Sequence, residues 1–133
     1  MIKPGLIAGF VNLIVTFIFT WLTGVLFPSI NTEYQNASIF RPWDDPLMMV
    51  FFAYPFIAGL ALAYLWKLLK THLKAVSGNK ALQFAMIYFL VATIPGMFIS
   101  YTTFKISLPM VLLWTFNGFL QVLVAGLVFE KLE

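Results

Sequence analysis

The stretch "GLIAGFVNLIVTFIFTWLTGVLF", residues 5–27, runs for 23 residues without a charge. The hydrocarbon core of a bilayer takes roughly 20 apolar residues of helix to cross. Three more windows read the same way: Leu47–Trp66, Ala81–Phe104 and Ile106–Phe129 contain no Asp, Glu, Lys or Arg. The charges fall between them, as expected where each costs about 2.5–3.5 kcal/mol at mid-bilayer. The expected fold class is therefore all-α: a polytopic integral membrane protein, four transmembrane helices in an up-down-up-down bundle.

Composition agrees. The 133 residues are 62% hydrophobic and 10% charged, against about 25% charged in a typical soluble domain. A domain this small exposes much of its area, and 13 charged side chains cannot cover it. Lipid is the solvent that fits. The net charge of +3 is scattered, unlike the basic stripe that nucleic acid requires. The absence of Cys rules out disulfides, thiolate metal sites and cysteine nucleophiles. The first window is too long for a cleaved signal peptide and lacks a persuasive small-residue cleavage site, so it reads as a mature span.

Punctuation sets the boundaries of one domain, 1–133, with spans at about 5–27, 46–66, 81–104 and 107–129 and an outer loop at 28–45. Pro4 suits a helix start, Pro28 ends the first span, and Asp45-Pro46 reads as N-cap and first residue of the second. Ser107 caps the fourth span, with Pro109 in its first turn. After Trp66, the stretch "WKLLKTHLKAV" puts Lys67, Lys70 and Lys74 on one helical face and Leu69, Leu73 and Val76 on another, which predicts a helical extension to 76. Ser77-Gly78-Asn79 then reads as a turn. Aligning Pro46 with Pro109 also matches Phe56 with Phe119, Leu60 with Leu123 and Leu69 with Leu132. Two tandem helical hairpins in parallel would give this pattern, although shared apolar composition accounts for most of it.

The 67–80 connection carries Lys67, Lys70, Lys74 and Lys80 and no acid, whereas 28–45 sets Glu33, Asp44 and Asp45 against Arg41. The positive-inside bias then places 67–80 and both termini in the cytoplasm, in a plasma or inner membrane. Lys3 agrees and Lys105 opposes. Lys67, Lys70 and Lys74 would lie near anionic headgroups, making the lipid bilayer the first expected partner.

Two places stand out as candidate sites. In the outer loop, Arg41, Trp43, Asp44 and Asp45 gather beside an apolar run. Asp45 and Asp44 suit a helix start, Trp43 suits the lipid–water boundary with Tyr34 and Phe40, and Arg41 has Asp44 or Glu33 as ion-pair partners. The same residues form a candidate ligand or partner site. Within the spans, Asn12, Thr16, Thr20 and Thr23 make a polar stripe, and Asn117 and Gln121 lie four apart on span four. These groups read as interhelical hydrogen bonds, or as the lining of a small cavity near the Pro95-Gly96 kink.

No span holds a carboxylate, Lys, Arg or His, so buried-acid proton coupling is not expected. The single His72 falls between lysines, and no nucleophile–base pair, phosphate loop or metal motif is present. No cofactor or metal is expected. The expected function is a small non-enzymatic membrane protein acting as a homo-oligomer or as an accessory subunit of a larger complex. The alternative is an oligomeric channel or transporter for a small neutral or zwitterionic solute. A third reading is an outward-facing enzyme or sensor on the 33–45 loop.

Overall fold

A computed structural model describes residues 1–74 and 79–132. Helix α1 (Ile2–Leu26) is followed by a short α2 (Pro28–Tyr34). A 3₁₀ segment (Pro46–Ala53) runs into α3 (Tyr54–Leu69). Helix α4 (Lys80–Tyr88) passes through a π-helical turn (Phe89–Thr93) into α5 (Ile94–Thr103), and α6 (Leu108–Leu132) ends the fold. Joined across the 3₁₀ and π segments, these elements make four helices of 24 or 25 residues, long and apolar enough to cross a membrane. An α-helix of 25 residues is about 37 Å long, which exceeds the hydrocarbon core. The fold is the all-α four-helix bundle expected.

Helix α1 runs antiparallel to α3 and α6, and α4 runs antiparallel to α6. Near its start α1 meets α3 at Leu60, and one turn later at Phe56; its middle meets Gln121 of α6, and Phe19 stacks on Phe116. Helix α4 lies on the end of α6, where Ala81 faces Gly126 and Lys80 meets Glu130. One end of the bundle therefore carries Lys3, Lys67, Lys70, Lys80 and Lys131; the other carries α2 and the 28–45 loop.

Lipid tails give apolar helices no hydrophobic reason to associate, so close packing and hydrogen bonds must hold them. The α1–α3 crossing shows how. A Cβ placed on Gly59 would lie 2.3 Å from the Gly5 carbonyl oxygen, and one on Gly9 would lie 2.8 Å from Phe56 Cα. The two backbones touch because neither has a side chain there. Beside this crossing a core forms from Ala8, Leu62, Phe84, Val122 and Ala125. Trp66 stands edge-on to Phe84, with ring centroids 5.2 Å apart, and lies 5.9 Å from Phe129. At the other end Ile30, Ile106, Met110 and Val111 form a second core under α2. Most other large apolar side chains point outward; Val91 and Phe98 are 73% and 71% exposed, as suits a lipid-facing surface.

The structure corrects several boundaries. Pro28 ends α1, but it also starts α2, so the 28–45 segment is partly helical. The expected extension to 76 stops early: α3 ends at Leu69, and the chain turns through residues 70–72. The reason is tertiary. The Lys80 ammonium donates to the Lys70 carbonyl at 3.4 Å, and the Lys74 backbone N–H donates to Gln83 Oε1. Those partners on α4 replace the bonds a continuing helix would make, and Leu73 turns into the core. The remaining positions of the extension, 75 and 76, and most of the Ser77-Gly78-Asn79 turn lie outside the described residues. Asn79 itself begins α4, its Oδ1 accepting from Leu82 N–H at 2.9 Å.

Both internal prolines mark a change of helix type rather than a simple kink. Proline lacks the N–H that would bond four residues back, and its ring crowds that carbonyl. Before Pro55 the chain is 3₁₀; before Pro95 it is π.

Gly59→Ala should melt well below the native protein in detergent, by about 1–3 kcal/mol or more, because a methyl cannot fit against a backbone oxygen. Gly96 has nothing within 4 Å of its missing Cβ, so Gly96→Ala should melt at or slightly above native, gaining up to about 1 kcal/mol of helix propensity.

Candidate functional site

Inside the bundle, α1 and α6 are cross-linked by side chains. Asn12 Nδ2 donates to the Gln121 backbone oxygen at 3.0 Å, and Gln121 Nε2 donates to Thr16 Oγ1 at 2.7 Å. Asn12 is 3% exposed. The helical spacing puts Asn12 and Thr16 one turn apart, facing a single glutamine on the antiparallel neighbour. Asn117 lies one turn from Gln121 on α6. Among the described residues, Asn12 Oδ1 and Asn117 Oδ1 are buried acceptors without a donor. An unmet buried acceptor costs about 1–3 kcal/mol.

The predicted stripe on α1 is only partly one surface. Thr20 is exposed. Thr23 is buried, but its hydroxyl bonds back to the Phe19 carbonyl at 2.9 Å. Ser100, Thr102 and Thr115 likewise donate to carbonyls four residues earlier. These hydroxyls satisfy their own helices. The cluster brought together is thus Asn12, Thr16 and Gln121, with Asn117 adjacent along α6.

At the loop end the charges meet helix starts. Asp45 Oδ1 accepts from Leu47 N–H at 2.9 Å, capping the 3₁₀ segment, and Asp45 Oδ2 accepts from Arg41 Nη1 at 3.1 Å. This corrects the expected Arg41 pairing with Asp44 or Glu33. Arg41 and Asp45 are four apart, and the N-cap geometry turns Asp45 back toward the loop. Glu33 reaches elsewhere: its two oxygens accept from Ser107 N–H at 2.9 Å and Ser107 Oγ at 2.5 Å. Ser107 Oγ in turn accepts from Met110 N–H at 3.3 Å, as its predicted capping role requires. Trp43 packs edge-on to Phe51 and stacks on Phe52, while Asp44 is exposed. Of the four loop candidates, only Arg41 and Asp45 are brought together.

The link between α2 and α6 had no sequence signal, because 74 residues separate Glu33 from Ser107. Tyr34 extends it. Its hydroxyl accepts from Trp114 Nε1 at 2.5 Å, and its ring lies 5.0 Å from that of Phe40. Burial raises the Tyr34 phenol above its usual range, the Trp114 bond opposes this, and Glu33 adds to it. The phenol stays neutral and acts as an acceptor. At the lysine end, Glu130 Oε1 accepts from Lys80 N–H at 3.0 Å, so a second carboxylate caps a helix from a distance.

Chemically, the loop cluster holds a helix start and an ion pair; the bundle cluster holds two helices together and leaves two acceptors unmet. Among the described residues, no three His, Asp or Glu side chains gather as a metal ion would need. Comparison with known proteins finds no matching family, no matching curated protein and no matching solved structure.

Two measurements check these assignments. A double-mutant cycle on Thr16→Val and Gln121→Leu should give a coupling near 0.6 kcal/mol and no more than about 1.7, the range of interhelical hydrogen bonds in membranes. The Asp45 carboxyl lies below the usual carboxylate range because of the Leu47 backbone bond first and the Arg41 bond second. A lowered folded value means the cap's contribution is complete above the unfolded carboxylate range and disappears as pH falls through the folded value. The melting difference between native protein and Asp45→Asn should therefore be constant at neutral pH and shrink below about pH 4.

Proposed function

We propose that this chain is a non-enzymatic integral membrane protein that acts by assembly, with further copies of itself or as an accessory subunit of a larger membrane complex. The observation that carries the reading is the one-sided packing of α5. That helix continues from the π turn and packs chiefly on α6. Leu90, Val91, Phe98 and Ile99 are left 62–73% exposed along the π turn and α5. A half-span packed chiefly on one neighbour is an element of this bundle well placed to take a partner helix. The Asn12–Gln121–Thr16 contacts add support, since their donors join α1 to α6 rather than line an open path. The positive-inside bias favours a cytoplasmic lysine end in a plasma or inner membrane.

One observation favours the alternative, a small oligomeric channel or transporter for a neutral or zwitterionic solute. The unmet acceptors Asn12 Oδ1 and Asn117 Oδ1 would suit a ligand rich in hydrogen-bond donors.

Native mass spectrometry from mild detergent tests assembly, and solute flux in proteoliposomes separates the two readings. Assembly predicts more than one chain per particle, or a co-purifying membrane subunit, and Val91→Trp with Ile99→Trp should disperse it without lowering the melting temperature. A strictly single chain with no co-purifying subunit would refute assembly, and passage of a neutral solute in proteoliposomes by the assembled chain, with flux lost in Asn117→Leu, would support transport.

A further inference from the structure

Six of the eight basic side chains lie at or beside one end of the bundle: Lys3 at the start of α1, Lys67 in the last turn of α3, Lys70 and Lys74 in the turn that follows, Lys80 at the start of α4 and Lys131 at the end of α6. The one described acid there, Glu130, caps α4. Helix ends alone would not require a cavity at this place, yet there is one. A groove of about 210 Å³ opens between the start of α1 and the ends of α3 and α6. Its lining divides by chemistry. Ala63, Trp66 and Phe129 are 5%, 4% and 2% exposed and form an apolar base. Lys67, Lys70 and Leu132 stand at the rim. Lys67 lies in the last turn of α3 and Lys70, three residues on, is its C-cap, so both line the same side of the groove.

An apolar, aromatic base under two ammonium groups, at the end of a membrane-spanning bundle, matches an amphiphile with an anionic head. We propose that this groove binds one anionic phospholipid. Its phosphate sits between Lys67 and Lys70, and the first carbons of an acyl chain lie on Ala63, Phe129 and Leu132. Drug-sized pockets run to about 300–1,000 Å³. This groove is smaller, so it takes a headgroup and the start of one chain while the rest remains in the bilayer. Trp66 gives the base an amphipathic ring, a type enriched at membrane–water boundaries. The site is independent of whether the chain assembles.

The test is native mass spectrometry in mild detergent, titrating phosphatidylglycerol against phosphatidylcholine. One phosphatidylglycerol per chain should stay bound at concentrations where phosphatidylcholine does not. Lys67→Gln with Lys70→Gln should weaken it about tenfold or more, since each lysine near an anionic surface adds appreciable attraction. Lys3→Gln with Lys131→Gln removes the same charge from the same end outside the groove, and should change binding less than about twofold. Lys67→Gln alone gives the same readout at smaller amplitude if the double variant folds poorly. Equal losses in the two double variants would mean diffuse attraction and overturn the site. So would equal retention of phosphatidylcholine, or displacement of the lipid by inorganic phosphate, which would mark a site for a free anion.

Discussion

The contact between the backbones of α1 and α3 at Gly5, Gly9 and Gly59 is the constraint on which the bundle rests. In hydrocarbon, two apolar helices gain little by meeting side chain to side chain, because lipid offers the same contact. Removing the side chains altogether lets the peptide groups approach, and the packing becomes too close for lipid to substitute. That approach fixes the height of α1 against α3. It also sets the level at which Asn12 and Thr16 meet Gln121, and the polar bonds then fix α6. Helix α4 follows through Ala81 against Gly126, and the Trp66, Phe84 and Phe129 rings fill the space left between three helices.

Three of the five acidic residues have a common task. Asp45, Glu33 and Glu130 each accept a backbone N–H at the start of a helical element: the 3₁₀ segment, α6 and α4. Helix starts leave N–H groups without partners within the helix, and a carboxylate oxygen supplies one. A chain with so little charge thus places these three acids where the backbone needs acceptors. Two of these caps are long-range, so they also hold α2 to α6 and the α4 start to the α6 end.

Much of the architecture was legible in residue order. Four charge-free windows, the Asp45-Pro46 start, and Ser107 before Pro109 all carry local physics that the structure repeats. What could not be read depends on distant partners. The end of α3 at Leu69 is decided by Lys80 and Gln83 on another helix, and local periodicity through Lys74 pointed the other way. Glu33 bonded to Ser107 and Tyr34 bonded to Trp114 are invisible to any local pattern. The polar cluster was half legible: spacing found Asn12, Thr16 and Gln121, but it also included Thr20, which the twist of α1 carries out to lipid.

The π turn at Phe89–Thr93 has a consequence for how this fold tolerates change. Such a turn holds one more residue than the α-helical turn it replaces. Loss of one residue there would restore regular winding and rotate everything beyond by about 100°, bringing a new face of α5 against α6. The register of that helix is thus encoded in length rather than in letters. Insertions and deletions at this point would remodel the outer contour of the bundle more than most substitutions could.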